Sequence, residues 1–133
     1  MSEVQREVVS TDQAPAAVGN YNQAILVQGA RTLYVSGQIG LIPGKPELGL
    51  PGDVAQQARQ VMTNVRAVLR AANMDFPNVV RATIFLADMN DFATVDEIYG
   101  ACFEPGTHPS RATVQAAALP KGALVEIDVI AVG

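Results

Sequence analysis

The chain has one cysteine, one histidine and only nine basic residues in 133, and each shortage removes a class of chemistry. A lone Cys102 can close no internal disulfide. With His108 as the only imidazole, there is no Cys/His cluster for a zinc ion. Nine Lys and Arg against thirteen Asp and Glu leave a formal net charge of −4, whereas nucleic-acid binding leans on clustered basic side chains. Neither a charged segment followed by a short apolar one nor an apolar run long enough to cross a bilayer is present, so a soluble, cytoplasmic protein is expected. The glycine-rich stretch from Gly44 to Gly52 carries neither GxGxxG nor a Walker pattern, so no phosphate cradle is expected.

What is present suits one compact domain over residues 1–133, with 49% apolar and 17% charged residues. A chain of this size buries about two thirds of its unfolded surface. A short edge strand is expected near Arg6 to Ser10, followed by a loop from Asp12 to Asn22. Ala24–Gln28 and Thr32–Ser36 are apolar runs separated by Gly29-Ala30-Arg31, which predicts a hairpin. Gly37 to Gly52 holds five glycines and three prolines and is an irregular connection. From Asp53, a candidate N-cap, Val54, Ala58, Val61, Met62, Val65, Val68, Leu69 and Ala72 recur at helical spacing, ending before Asn73 and Pro77. Val79 to Leu86 is a strand with Val80, Ala82, Ile84 and Leu86 on its apolar face. Asn90 or Asp91 then caps a second helix bearing Phe92, Val95, Tyr99, Cys102 and Phe103, which Pro105-Gly106 ends. Two further strands follow. The expected fold class is α+β, a single mixed β-sheet with two helices packed on one face.

The final strand has two unlike faces. Ala123, Val125, Ile127, Val129 and Ala131 alternate with Leu124, Glu126, Asp128, Ile130 and Val132, and period-two alternation sends the two sets to opposite sides. The first set is core. The second mixes two acids with large apolar groups and is expected to meet another subunit. In the preceding run, Ala112, Val114 and Ala116 alternate with Arg111, Thr113 and Gln115, which puts Arg111 on a polar face like that of Glu126.

Arg111 is the leading candidate for function, because a guanidinium fork binds a carboxylate through two parallel charge-assisted bonds. The alternative is an ion pair with Glu126 or Asp128 across strands. Glu126 can accept a proton from water or pair with Arg111 or Lys121. Tyr21 can present its phenol to a substrate or pack as a loop ring. His108, between Thr107 and Pro109, reads as a loop residue, and Cys102 as a small core hydrophobe.

Several motifs occur in order along nearly the whole chain: Gly19-Asn20-Tyr21-Asn22-Gln23-Ala24, Val35-Ser36-Gly37-Gln38-Ile39, Asn78-Val79-Val80, Phe85 to Phe92, Pro109-Ser110-Arg111, Ala118 to Gly122 and Val125-Glu126-Ile127. In these motifs the sequence resembles the Rid family, the reactive intermediate or enamine/imine deaminases. The resemblance implies a chorismate-mutase-like trimer with an active site in each cleft between subunits. It implies hydrolysis of 2-imino or enamine acids of the 2-aminoacrylate type to 2-oxo acids and ammonia, with no cofactor. Arg111 then holds the substrate carboxylate, Glu126 activates water, and Tyr21, Ser36, Gly37, Asn90 and Thr113 line the pocket. Asn90 keeps its rival reading as a helix cap. Many relatives carry cysteine where this chain has Thr113, and proline and serine where it has Asn20 and Asn22. The alternatives are a non-catalytic module that binds small carboxylates and, against the acidic charge, an endoribonuclease.

Overall fold

The computed structural model of the protein describes residues 5–14, 16–29 and 31–133. Its principal elements are β1 (Gln5–Val9), β2 (Ala24–Gln28), β3 (Thr32–Gln38), α1 (Val54–Ala71), β4 (Val79–Leu86), α2 (Phe92–Gly100), β5 (Ser110–Gln115) and β6 (Val125–Val132). Four strands form a mixed sheet in the order β3-β6-β4-β5, antiparallel except for the β4–β5 pair. A parallel pair cannot be closed by a tight turn, and α2 lies in the crossover that joins β4 to β5.

The expected single sheet is divided. β1 and β2 form their own antiparallel ladder, and among the described residues β2 does not pair with β3, so the expected hairpin is not formed. Ala30, the middle of its turn, lies outside the described residues. The reason for the split is at Arg31. Its backbone exchanges hydrogen bonds with Gly133 at 3.2 and 3.0 Å, and its guanidinium donates to the Gly133 and Ala72 carbonyls at 3.1 and 3.0 Å. β3 is thereby started against the end of β6, while β2 pairs with β1.

α1 opens where expected. The Asp53 carboxylate accepts from the Gln56 backbone N–H at 2.8 Å and the Gln56 side chain accepts from that of Asp53 at 3.3 Å, a reciprocal cap for two otherwise unpaired donors. Val61, Val65 and Leu69 are buried against the sheet, whereas Val68, assigned to the same stripe, is partly exposed. Truncating a side chain such as Leu69 to Ala costs about 3 kcal/mol. Val95 and Tyr99 of α2 join the same core with Ala82, Ile84, Val125, Ile127 and Val129, so both helices cover one face.

The other face carries Glu126 beside Phe85 and Asp128 beside Thr83, with Phe85 next to Val114 on β5. Tyr34 there is 75% exposed. The irregular connection after β3 is pinned from α1: the Asn64 amide donates to the Ile39 and Leu41 carbonyls at 3.1 and 2.9 Å. The buried Gln57 donates to Pro51 and accepts from the Leu124 backbone N–H at 3.0 and 2.9 Å. These bonds hold the segment just after Ser36 and Gly37.

Candidate active site

Register decides where Arg111 points. It is opposite Ala82 and Thr113 is opposite Ile84, both buried under the helices, and parallel partners share a face. Arg111 and Thr113 therefore belong to the helix side, and Val114, expected inside, is 43% exposed on the outer face. β5 is an edge strand, so a long side chain there reaches the rim between the sheet and the helix layer. Arg111 pairs through Nη1 with Asp96 of α2, the two side chains being 5% and 18% exposed. The rings of Tyr21, Phe92 and Tyr99 surround its Cζ at 5.3, 5.5 and 5.6 Å from their centroids, within the range of cation–π attraction.

Asp96 is the residue the sequence reading missed, since neither Glu126 nor Asp128 is the partner. A signal existed: Phe92, Asp96 and Tyr99 fall at i, i+4 and i+7, so an acid lies on the buried stripe of a helix. Burial pushes the Tyr99 phenol far up, so it stays neutral beside the ion pair. Its hydroxyl and that of Thr113 are buried without a hydrogen-bond partner among the described residues.

The loop that delivers Tyr21 is fastened by the two asparagines at which the family resemblance departs. Asn22 donates from its backbone to Pro109 at 3.2 Å and from its amide to the Gly106 and His108 carbonyls. Asn20 donates to the Asp96 carbonyl at 3.1 Å and lies over Gly100, where a Cβ would come within 2.2 Å of the amide nitrogen. His108 bonds the Gly100 carbonyl at 3.1 Å and packs on Phe103, consistent with a loop residue.

Glu126 is on the outer face of β6, and among the described residues it has no ion pair with Arg111 or Lys121. Its carboxylate lies over Gly37: a Cβ built there would be 2.1 Å from Oε2. The β3–β6 register slips between Val35 and Gln38, a bulge that turns the exposed Ser36 and Gly37 out of the ladder. Because the clash is with the flexible end of a side chain, Gly37→Ala is expected to leave the melting temperature nearly unchanged. Activity should fall by about tenfold or more through displacement of the Glu126 carboxylate, the candidate for accepting a proton from water, as thermal melts and initial rates on one preparation will show.

Asn90 is exposed in the single turn Met89–Asp91. It does not cap α2, whose N-cap residue is Asp91 and lacks a side-chain cap bond. Asp88 instead accepts from the Asn90 N–H at 2.9 Å. Cys102 is partly buried against the core, and burial raises its thiol pKa. Brief treatment with a thiol-alkylating reagent is expected to leave activity intact, and rapid inactivation in step with Cys102 labelling would refute that placement.

The candidate residues thus form two groups. Arg111, Tyr21 and Thr113 are grouped on the helix side of edge strand β5, while Glu126, Gly37 and Ser36 are on the outer side toward β3. Two strand spacings, about 10 Å, and the thickness of the sheet separate Arg111 from Glu126.

Residues 11–133 match the family described as Endoribonuclease L-PSP. A 2-iminobutanoate/2-iminopropanoate deaminase from Rattus norvegicus is 54% identical over 99% of this chain and 93% of its own. The chain belongs to the Rid family. A Homo sapiens protein of the same name is 49% identical over 99% of this chain and 93% of its own. Among solved structures, RidA from the Antarctic bacterium Psychrobacter sp. PAMC 21119 is 41% identical with a TM-score of 0.72, covering 96% of this chain and 99% of that one. E. coli TdcF with bound serine is 38% identical with a TM-score of 0.71, covering 96% and 98%. In this Rid protein no helix among the described residues is long and apolar enough to cross a membrane, and no group of three or more His, Cys, Asp or Glu there is placed to hold a metal ion.

Proposed function

We propose that this Rid protein is a cytoplasmic 2-imino acid deaminase that assembles as a chorismate-mutase-like trimer and completes each active site from two subunits. The observation that carries the reading is the pair of half-sites. A guanidinium caged by three rings stands on one side of the sheet, and a carboxylate with no ion-pair partner among the described residues stands on the other. A three- or four-carbon imino acid cannot span a sheet to reach both. It can reach both where the Arg111 rim of one copy meets the outer face of the next, the face whose exposed Tyr34 and half-buried Ile130 call for cover.

In such a cleft Arg111 fixes the substrate carboxylate, and Tyr21, Thr113, Ser36, Gly37 and Asn90 shape the pocket. Glu126 accepts a proton from water as the oxygen attacks C2 of the C=N bond. Collapse of the resulting carbinolamine, with that proton returned to nitrogen, releases ammonia and the 2-oxo acid. Such imines hydrolyse unaided, so positioning plus one general base supplies the acceleration. The deaminase names of the mammalian relatives and the serine bound to TdcF support an amino-acid-sized ligand, and the net charge of −4 suits a small monoanion better than RNA.

The test is 2-oxo acid and ammonia formation from imines generated in situ by a pyridoxal-phosphate-dependent dehydratase. Wild-type protein should accelerate both products. Glu126→Gln should lower kcat about a hundredfold while changing the affinity for a stable 2-oxo acid only slightly. Equal losses in both would make Glu126 a binding group, and no acceleration by the wild type would leave a non-catalytic carboxylate-binding module.

A further inference from the structure

We infer that Asp96 is an internal competitor for Arg111, a positioning residue that weakens carboxylate binding and speeds release of the 2-oxo acid product. The inference rests on the reading of Arg111 as the substrate clamp. A guanidinium can take a carboxylate end-on, through Nη1 and Nη2, or side-on, through Nε and Nη2. Asp96 occupies Nη1, which removes the end-on fork. The side-on edge has no hydrogen-bond partner among the described residues, and the chain passes it at a glycine, Gly19, where an added Cβ would touch Nη2 at 3.8 Å. Incoming carboxylates are thereby directed to one edge and one plane.

Charge is the second part of the effect. Arg111 and Asp96 together are neutral, both largely buried, and Asp96 is held in place from behind by the Asn20 amide on its carbonyl. A substrate carboxylate therefore meets an oriented fork without the full attraction of a lone cation. The consequence suits a deaminase. Imine and 2-oxo acid carry the same carboxylate, so attraction to that group strengthens substrate and product alike, and uniform binding lowers KM without raising kcat. An acid beside the clamp offsets that attraction and lets product leave.

The experiment uses full-length protein and pyruvate as the probe, with affinity measured by calorimetry and turnover by the coupled imine assay. Asp96→Asn keeps an oxygen that can accept from Nη1 and removes only the charge. It is expected to bind pyruvate about tenfold more tightly and to lower KM to match, with no rise in kcat. A residue that merely supported the fold would lower kcat and leave KM unchanged or raised. In an Arg111→Gln background the same substitution should leave pyruvate binding unchanged, because the competition has lost its object. Asp96→Ala carries the same expectation should the asparagine variant fail to fold. Pyruvate binding no tighter in the folded variants overturns the competitor role, as does a chain that folds with neither substitution. Undiminished pyruvate binding by Arg111→Gln alone would instead remove the clamp reading, and this proposal with it.

Discussion

Arg111→Gln is expected to lower imine hydrolysis by about a thousandfold or more, because in the proposed site both the carboxylate clamp and the orientation of C2 toward water depend on that one fork. The same substitution should also destabilise the chain. Asp96 is 18% exposed and has no other cation among the described ion pairs, and removing one partner of a buried pair leaves an uncompensated charge at a cost of about 3 kcal/mol. The two effects can be separated. Adding Asp96→Asn removes the stranded charge, so the double variant should recover most of the lost stability while activity stays absent. Thermal melts and coupled assays on the two variants check this, and a double variant that regained activity would show that Arg111 contributes packing and not substrate binding. Lysine is not an equivalent replacement, because an ammonium cannot supply the planar two-point contact.

How far these features were legible in the sequence depends on whether their cause is local. The Asp53 cap, the α1 stripe of Val61, Val65 and Leu69, and the apolar faces of β4 and β6 follow from spacing within one segment, and the structure places them as read. The faces of β5 do not follow in that way. In Ser110–Gln115 the alternation of Arg and Thr with Ala and Val suggests that the arginine is outside, but the β4 register and the acid on α2 turn it inward. The separation of β2 from β3 is likewise non-local, since it depends on bonds between Arg31 and the last residue of the chain. The motif resemblance found Arg111, Tyr21, Gly37 and Glu126 as residue types in order. It gave no indication that Arg111 and Glu126 stand on opposite faces of the sheet, nor that Asn20 and Asn22 serve as the anchors of the Tyr21 loop.

That division sets the result expected of assembly. The outer face combines exposed Tyr34 with half-buried Ile130 and Phe85 around two acids, a mixture too apolar for solvent and suited to a subunit interface whose rim also holds a polar cleft. Wild-type protein should sediment as a trimer at micromolar concentration. Ile130→Asp places a charge in that contact and should yield a monomer with activity reduced by about a hundredfold or more, because in the proposed cleft no copy alone brings its own two half-sites together. Subunit mixing carries the argument further. Arg111→Gln and Glu126→Gln trimers are each inactive by expectation, yet after denaturation and joint refolding, random association should rebuild about one site in four from an intact Arg111 rim and an intact Glu126 face. A mixture recovering about a quarter of wild-type turnover would establish that each site is shared. A mixture that stays inactive, or a wild-type monomer with full activity, would place Arg111 and Glu126 in one subunit's site and overturn the shared cleft.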